Sequence, residues 1–232
     1  MTEGLSIIVP IYNEAEIFEE VFSELFAVAD NFQFPYEVII VVDGSTDESL
    51  TMARRLTKER PQVNVHAHEE NFGIGAALRT GFAAARYEKL ISYPADGQMD
   101  PKDLSRYYHA LDSQTDFVTT VRKNASRHLW RRRIVSGGWR FFIRVLFGEV
   151  PPLEAGRIFR KTVLKEVSIT KNTAMGNMEL LIKAYRKGYR FKQMDVHVRQ
   201  RIGGQSKVFS CGRILKIFLE MVQLRFSKEF QK

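Results

Sequence analysis

Apolar runs and helical patterns alternate through the first half of this 232-residue chain. That alternation predicts an α/β protein with a doubly wound, mostly parallel sheet and helices on both faces. Two further observations agree. The runs are rich in Val and Ile and lack polar alternation, as strands buried on both faces of a parallel sheet require. The first two runs also end in short polar loops, Asn13-Glu14 and Asp43-Gly44-Ser45-Thr46-Asp47. Doubly wound sheets bind ligands at that carboxyl edge.

The elements follow in order. Leu5–Tyr12 and Glu37–Val42 are the first two strands, and Val63–His68, Lys89–Tyr93 and Phe117–Val121 are weaker third, fourth and fifth strands. Ile17, Val21, Leu25 and Val28 share one helical face, with Glu16, Glu20 and Glu24 off it. Asn13 with Glu16, and Ser45 with Glu48, have capping-box spacing. Residues 73–87 and 101–112 read as further helices. Arg157–Lys161 and Arg190–Arg199 read as late strands around a helix at 174–187. Residues 125–147 read as two helical pieces broken at Gly137-Gly138, and 207–230 as a long amphipathic pattern. The expected organisation is one domain over 1–205, in halves 1–121 and 122–205, followed by an amphipathic helix over 206–232.

Charge is unevenly distributed. Residues 1–50 hold 11 acids and no Lys or Arg, so all 35 basic residues lie beyond them, against 16 acids, and the net charge is +8. An anionic partner on the basic side is expected: nucleic acid, a nucleotide or a membrane surface. Residues 122–144 carry eight Lys/Arg and no acid, interleaved with Trp130, Trp139, Phe141 and Phe142. Basic, Trp-rich amphipathic helices lie in membrane interfaces. Single-stranded nucleic acid would suit the same composition, but no nucleic-acid-binding signature accompanies it, so none is expected as a partner. The lone Cys211 excludes an intramolecular disulfide and points to a reducing compartment. No signal-peptide pattern opens the chain, and no run approaches the roughly 18 uncharged apolar residues of a transmembrane helix. Peripheral attachment on the cytoplasmic side, with no membrane anchor within these residues, is the expectation.

Four segments carry the functional signal: Ser6–Glu14 (SIIVPIYNE), Val41–Ser49 (VVDGSTDES), Asn71–Phe82 (NFGIGAALRTGF) and Ala95–Pro101 (ADGQMDP). In order and spacing they resemble the nucleotide-sugar-binding half of family 2 glycosyltransferases of the GT-A fold. A later run, Arg201–Lys207 (RIGGQSK), resembles the R-x-x-G-x-S-K stretch of the polyprenyl-phosphate branch, typified by dolichyl-phosphate mannose synthase. A dinucleotide site is the competing reading of Gly73 and Gly75. It fails because position 78 is Leu where the G-x-G-x-x-G pattern needs Gly.

The resemblance implies roles residue by residue. Pro10, Tyr12 and Glu14 match the first nucleotide-binding loop, with Tyr12 for the base or ribose and Glu14 for ribose hydroxyls. Asp43 matches the base-contacting Asp. Asp96 and Gln98 match the residues that hold a divalent cation, Mg²⁺ or Mn²⁺. The family usually has an acid two residues before Asp96, where this chain has Pro94. One carboxylate, one amide oxygen and a diphosphate can still suffice, because Mg²⁺ commonly uses one or two carboxylates plus substrate phosphates. Arg201 and Lys207 would bracket the diphosphate across Gly203-Gly204, beside Ser206. On the acceptor side, Arg122, Arg131 and Ser136 resemble acceptor-phosphate contacts. Within Pro151–Lys161 (PPLEAGRIFRK) the family's Asp position is Pro151, Arg157 keeps a basic position near the catalytic centre, and Glu154 is the candidate substitute acid. Glu179 matches an acid of the following helix, with a solvated helix residue as the alternative. Arg79 is open between a phosphate contact and helix solvation.

The implied enzyme is an inverting, metal-dependent glycosyltransferase using a nucleoside-diphosphate sugar, UDP- or GDP-linked, and a polyprenyl phosphate such as dolichyl or undecaprenyl phosphate. Two alternatives stay open. One is transfer to a sugar hydroxyl, for which Glu154 or Glu179 is the candidate base. The other is a nucleotide-sugar- or membrane-binding module without turnover.

Overall fold

The computed structural model describes residues 2–122, 138, 141–152, 156–202, 211–227 and 230. Seven strands form one sheet: β1 (Thr2–Ile11), β2 (Tyr36–Asp43), β3 (Val63–His68), β4 (Tyr87–Ser92), β5 (Phe117–Arg122), β6 (Arg157–Arg160) and β7 (Phe191–Val196). Their order is β3-β2-β1-β4-β6-β5-β7. Neighbours are parallel except at β6, which runs antiparallel to both β4 and β5. The order reverses between β1 and β4. The crevice beyond their carboxyl ends is therefore the topological switch point, where this architecture binds ligands.

The helices are α1 (Phe18–Ala29), α2 (Ser49–Glu59), α3 (Ile74–Ala84), α4 (Asp103–Ala110), α5 (141–147), α6 (Met175–Arg186) and α7 (Cys211–Arg225). Successive strand residues point to opposite faces, and both faces are covered. Ile7, Val9, Val38 and Ile40 pack with Val21 and Leu25 of α1 and Leu104 of α4. Ile8, Ile39, Val41, Phe117 and Phe159 pack with Leu78 and Phe82 of α3, Leu180 of α6, Ile143 and Phe147 of α5, and Met221 of α7. This explains the unbroken Val/Ile runs: a polar residue on either face would lose the roughly 1.5–3 kcal/mol that each buried aliphatic side chain contributes.

The predicted sheet and most predicted helices are present, with local differences. Neither capping box forms: no side-chain cap bond closes the helical turns that start at Ala15, Phe18 or Ser49. Asn13 sits at φ +53° and reaches across to the next loop instead. Its Oδ1 accepts the Thr46 N–H at 2.8 Å, and the Ser45 hydroxyl accepts the Asn13 N–H at 3.0 Å. The helix expected over 101–112 is shorter because Asp112 turns back to accept from the Gln114 N–H and the Thr115 hydroxyl.

Candidate donor-binding and acceptor site

Three loops meet at the switch point. The β1 and β2 loops are locked together. Besides the Asn13 bonds, the Glu14 N–H donates to the buried Ser49 hydroxyl at 3.1 Å and the Ala15 N–H to Asp47 at 3.0 Å. The segment read as D-G-S-T-D-E-S thus serves first as a clamp on the β1 loop. Pro10, Tyr12 and Glu14 remain half-buried along that loop.

Asp43 ends β2 and is 3% exposed. Its carboxylate accepts the Phe72 N–H at 3.1 Å and the Gly73 N–H at 2.8 Å, and it meets His68 Nδ1 at 2.7 Å. His68 Nε2 lies 2.9 Å from the Thr80 hydroxyl. Asp43 therefore organises the 68–73 loop at the sheet edge. His68 was not singled out from the sequence: its partner lies 25 residues earlier, and no local pattern marks the pairing.

The glycine-rich stretch after this loop holds no diphosphate cradle. The Gly75 N–H donates to the Asn172 carbonyl at 2.7 Å, and a Cβ at Gly75 would collide with the Lys171 carbonyl oxygen. The glycines permit two backbone segments to touch. Arg79 joins the same seam, donating to Asn172 Oδ1 at 2.6 Å, so it neither reaches for a phosphate nor simply solvates its helix.

Glu179 belongs to that seam too. It is completely buried, and its two oxygens accept from the Thr170 N–H and hydroxyl, the Lys171 N–H and the Lys183 ammonium, all within 2.8 Å. Burial alone would raise its pKa, but Lys183 and the other donors outweigh it and hold the carboxyl below its ordinary value. The alternative of a solvated helix residue is thereby corrected. The acceptor-binding and catalytic-base roles find no support, because the carboxylate is committed to the 168–171 loop.

The β4 loop is different. Asp96 and Gln98 line a cavity of about 190 Å³ with Pro94, Asp100, Tyr107, Arg122 and His197. Gly97 turns the chain at φ +71°, and a Cβ there would strike the Ile202 side chain. The 198–202 segment lies antiparallel against 96–99: Met99 bridges Val198, and the Arg199 N–H donates to the Gln98 carbonyl at 2.9 Å. Arg201 then donates to Asp96 Oδ2 at 3.0 Å, while the Gln98 N–H occupies Oδ1 at 3.0 Å. Arg199 ties the arrangement to α1 through Glu24 at 2.7 Å and to Asp100 at 2.8 Å. Asp100 also accepts the Lys102 N–H at 3.0 Å, ahead of α4.

The structure thus brings together Asp96, Gln98, Arg201 and, on the cavity wall, Arg122. Arg157 starts β6 on the sheet face opposite that cavity's α4 side and is 3% exposed. Lys207, Arg131, Ser136 and Glu154 lie outside the described residues. No cluster of three or more His, Cys, Asp or Glu that could bind a metal occurs among the described residues. The hard oxygen donors Asp96 and Gln98 nevertheless share one cavity wall, a chemistry that suits Mg²⁺ or Mn²⁺ completed by substrate phosphates.

Fold and site together are those of an α/β protein with a polar cavity at the topological switch point, where this architecture binds ligands. Residues 6–183 match the glycosyl transferase family 2 model, and the chain belongs to that family. It is 28% identical to the dodecaprenyl-phosphate galacturonate synthase of Rhizobium johnstonii, over 98% of this chain and 68% of the relative. It is 31% identical to the undecaprenyl-phosphate 4-deoxy-4-formamido-L-arabinose transferase of Edwardsiella ictaluri, over 56% of this chain and 40% of the relative. Among solved structures it resembles glucosyl-3-phosphoglycerate synthase from Mycobacterium tuberculosis in complex with Mn²⁺, UDP and glucosyl-3-phosphoglycerate. That likeness has a TM-score of 0.72 at 17% identity, covering 96% of this chain and 80% of that one. It also resembles a mannosyltransferase from Pyrobaculum calidifontis in complex with GDP-Man and Mn²⁺. There the TM-score is 0.64 at 19% identity, covering 100% of this chain and 65% of that one. These two likenesses establish a GT-A-like fold.

Proposed function

We propose that this chain transfers a sugar from a UDP- or GDP-linked donor to a polyprenyl phosphate at the cytoplasmic membrane face, with inversion at the anomeric carbon. The carrying observation is the meeting of Asp96, Gln98 and Arg201 at the switch-point cavity, from segments about 100 residues apart. In this reading Pro10, Tyr12 and Glu14 face the nucleoside, Asp43 holds the 68–73 loop beside it, and Arg201 with Lys207 faces the diphosphate. A divalent cation at Asp96 and Gln98 would supply charge neutralisation for the leaving diphosphate. Arg201 holds the Asp96 carboxylate in place before the donor arrives.

The acceptor phosphate oxygen forms the new bond to the anomeric carbon, and the bond from that carbon to the donor diphosphate breaks, the diphosphate leaving with the electron pair. A phosphate monoester is already anionic at neutral pH, so this step needs positioning by cations more than a general base. Arg122, with Arg131 and Ser136, is assigned to the acceptor side. The relatives named for dodecaprenyl- and undecaprenyl-phosphate products support this acceptor. The commitment of Glu179 to its loop weakens transfer to a sugar hydroxyl.

No helix among the described residues is long and apolar enough to cross a membrane. Attachment would therefore use surfaces such as α5 and α7, which expose Phe141, Phe142, Val145, Leu215 and Leu219. The test is incubation with labelled UDP- and GDP-sugars, Mg²⁺ or Mn²⁺, and polyprenyl phosphate. A solvent-extractable labelled lipid is expected. Label appearing only on sugar hydroxyls across the donor panel would overturn the lipid acceptor, and tight nucleotide binding with no product would indicate a binding module.

A further inference from the structure

A second cavity, of about 610 Å³ and open to solvent, lies between α3, the 3-10 turn Lys161–Lys165 and the 167–169 loop. It sits on the face of the sheet covered by α3, whereas the Asp96 cavity is walled by Tyr107 of α4 and Met99 on the other face. The two cavities share no lining residue. The volume falls within the roughly 300–1,000 Å³ of small-molecule sites.

The floor is apolar. Phe82, Val167 and Ile169 belong to the core layer beneath it, and Leu164 packs against that layer half-buried. Ala83, exposed on α3 at the groove's edge, is too small to cover this floor. The rim is basic. Arg79, Lys161 and Lys165 line it, and no Asp or Glu does. Arg79 donates to two neutral acceptors, Asn172 Oδ1 at 2.6 Å and the Lys171 carbonyl at 3.4 Å. Lys161 Nζ donates to the Ala85 carbonyl. Lys165 is exposed, and its ammonium makes no hydrogen bond or ion pair among the described residues. The neighbouring acids are engaged elsewhere: Glu166 pairs with Lys187 at 3.6 Å, and Glu179 with Lys183 at 2.7 Å. Three positive charges therefore border one apolar floor without a carboxylate among them. A cleft walled by one sign of charge concentrates counter-ions of the other sign.

We propose that this groove binds a single-chain anionic amphiphile from solution, an alkyl chain carrying one carboxylate or phosphate head group. The chain covers the floor of Phe82, Leu164, Val167 and Ile169, and the head group meets the Lys165 ammonium within the field of Arg79 and Lys161. A small inorganic anion would leave the floor bare, and an uncharged hydrocarbon would leave the rim unneutralised. No lining residue comes from α5 or α7, so the site is separate from the surfaces assigned above to the membrane. It is also independent of the sugar-transfer reading, because neither Asp96 nor any nucleotide-loop residue lines it.

The test is calorimetric titration of the full chain, below micelle-forming concentrations, with dodecanoate, dodecyl phosphate, dodecanol, dodecyltrimethylammonium and inorganic phosphate. Saturable binding of one dodecanoate or dodecyl phosphate per chain is expected, the tighter of the two naming the head group. Dodecanol and dodecyltrimethylammonium are expected to bind at least tenfold more weakly; equal binding of either would overturn the anion requirement. Inorganic phosphate binding as tightly as dodecyl phosphate would show that the floor plays no part, and would overturn the amphiphile. Lys165→Glu should lower the affinity by about tenfold or more, the scale for losing a hydrogen bond to a charged group. Ala83→Trp, which fills the groove from an exposed helix position, should abolish binding. Unchanged affinity in both variants would overturn the site, and both positions are solvent-exposed, so the fold is expected to survive. Loss of binding in Val145→Ser but not in Ala83→Trp would move the amphiphile to α5 and overturn the groove. UDP or GDP affinity with Mn²⁺ should be the same with and without dodecanoate, and Asp96→Ala should leave dodecanoate binding intact. Competition between nucleotide and dodecanoate would place the amphiphile in the Asp96 cavity and overturn the proposal. A vesicle of anionic diacyl lipid whose binding is lost in Ala83→Trp, with no dodecanoate or dodecyl phosphate binding to the unmodified chain, would overturn the single-chain ligand.

Discussion

Two seams close the carboxyl edge of the sheet, and they use the same materials differently. In one, the 71–75 turn lies against 171–172, and Glu179 braces the 168–171 loop from beneath. Glycine, arginine and carboxylate are all present there, yet each is satisfied by another part of the chain. In the other, the 96–99 turn lies against 198–202, with Gly97 pressed on Ile202 and Arg201 on Asp96. Here the polar groups border a cavity. The Glu179 carboxylate has four internal donors and no exposure, whereas the Asp96 carboxylate is held by one arginine and one backbone N–H at a cavity wall.

Breaking the first seam should unfold the protein without touching nucleotide binding. Glu179→Ala removes the carboxylate beside Lys183, which is only 7% exposed and keeps the Ser168 carbonyl at 3.0 Å. Removing one partner of such a pair costs about 3–5 kcal/mol, which denaturant unfolding would register, with UDP or GDP affinity of the remaining folded protein unchanged. A loss of affinity matched to the loss of stability would erase the distinction between the seams. Breaking the second seam should do the reverse. Asp96→Ala should weaken metal-dependent nucleotide binding or turnover by about 10²–10³-fold, the scale for removing one preorganised stabilising group. Its melting temperature should stay near that of the unmodified chain, since Arg201 is partly solvated. A collapse of stability there would make Asp96 a structural residue too.

A smaller effect sharpens the first seam. Gly75→Ala drives a Cβ into the Lys171 carbonyl oxygen, which is backbone and cannot swing aside. About 1–3 kcal/mol of destabilisation is expected, together with faster hydrogen exchange at the Gly75 amide. Equal stability and exchange would show that the two segments are not in contact.

The sheet was legible because its signal is local. Unbroken Val/Ile runs report burial on both faces, and β1 and β2 fall almost where those runs lie. The candidate site was legible where one loop carries it, as at Asp96 and Gln98, which share one cavity wall. It was not legible where function depends on distant pairing. Asn13 and Ser45 have helix-cap spacing, but each finds its partner in the other's loop some 32 residues away. Glu179 sits at a motif position, and only the fold reveals that Thr170, Lys171 and Lys183 surround it. The burial of Arg157, with its Nη2 on Asn177 and its Nε without a hydrogen-bond partner, arises from β5, β6 and α6 together, so no window of sequence contains it.

The subtlest expected effect is on pH dependence, and it again separates the two carboxylates. Glu179 has a folded pKa below its ordinary value of 4.5. A depressed carboxyl contributes stability that is fully present above the unfolded pKa and is lost as pH falls through the folded one. The unmodified chain should therefore lose stability progressively below about pH 4.5, partly through this group. Glu179→Gln keeps the side-chain length and one acceptor oxygen but cannot titrate. It should be less stable than the unmodified chain at neutral pH and decline less steeply in acid, so that the two curves converge as pH falls. Parallel curves in urea melts between pH 3 and 7 would show that Glu179 does not exchange its proton on unfolding, and that the first seam is held by packing rather than by its buried charge.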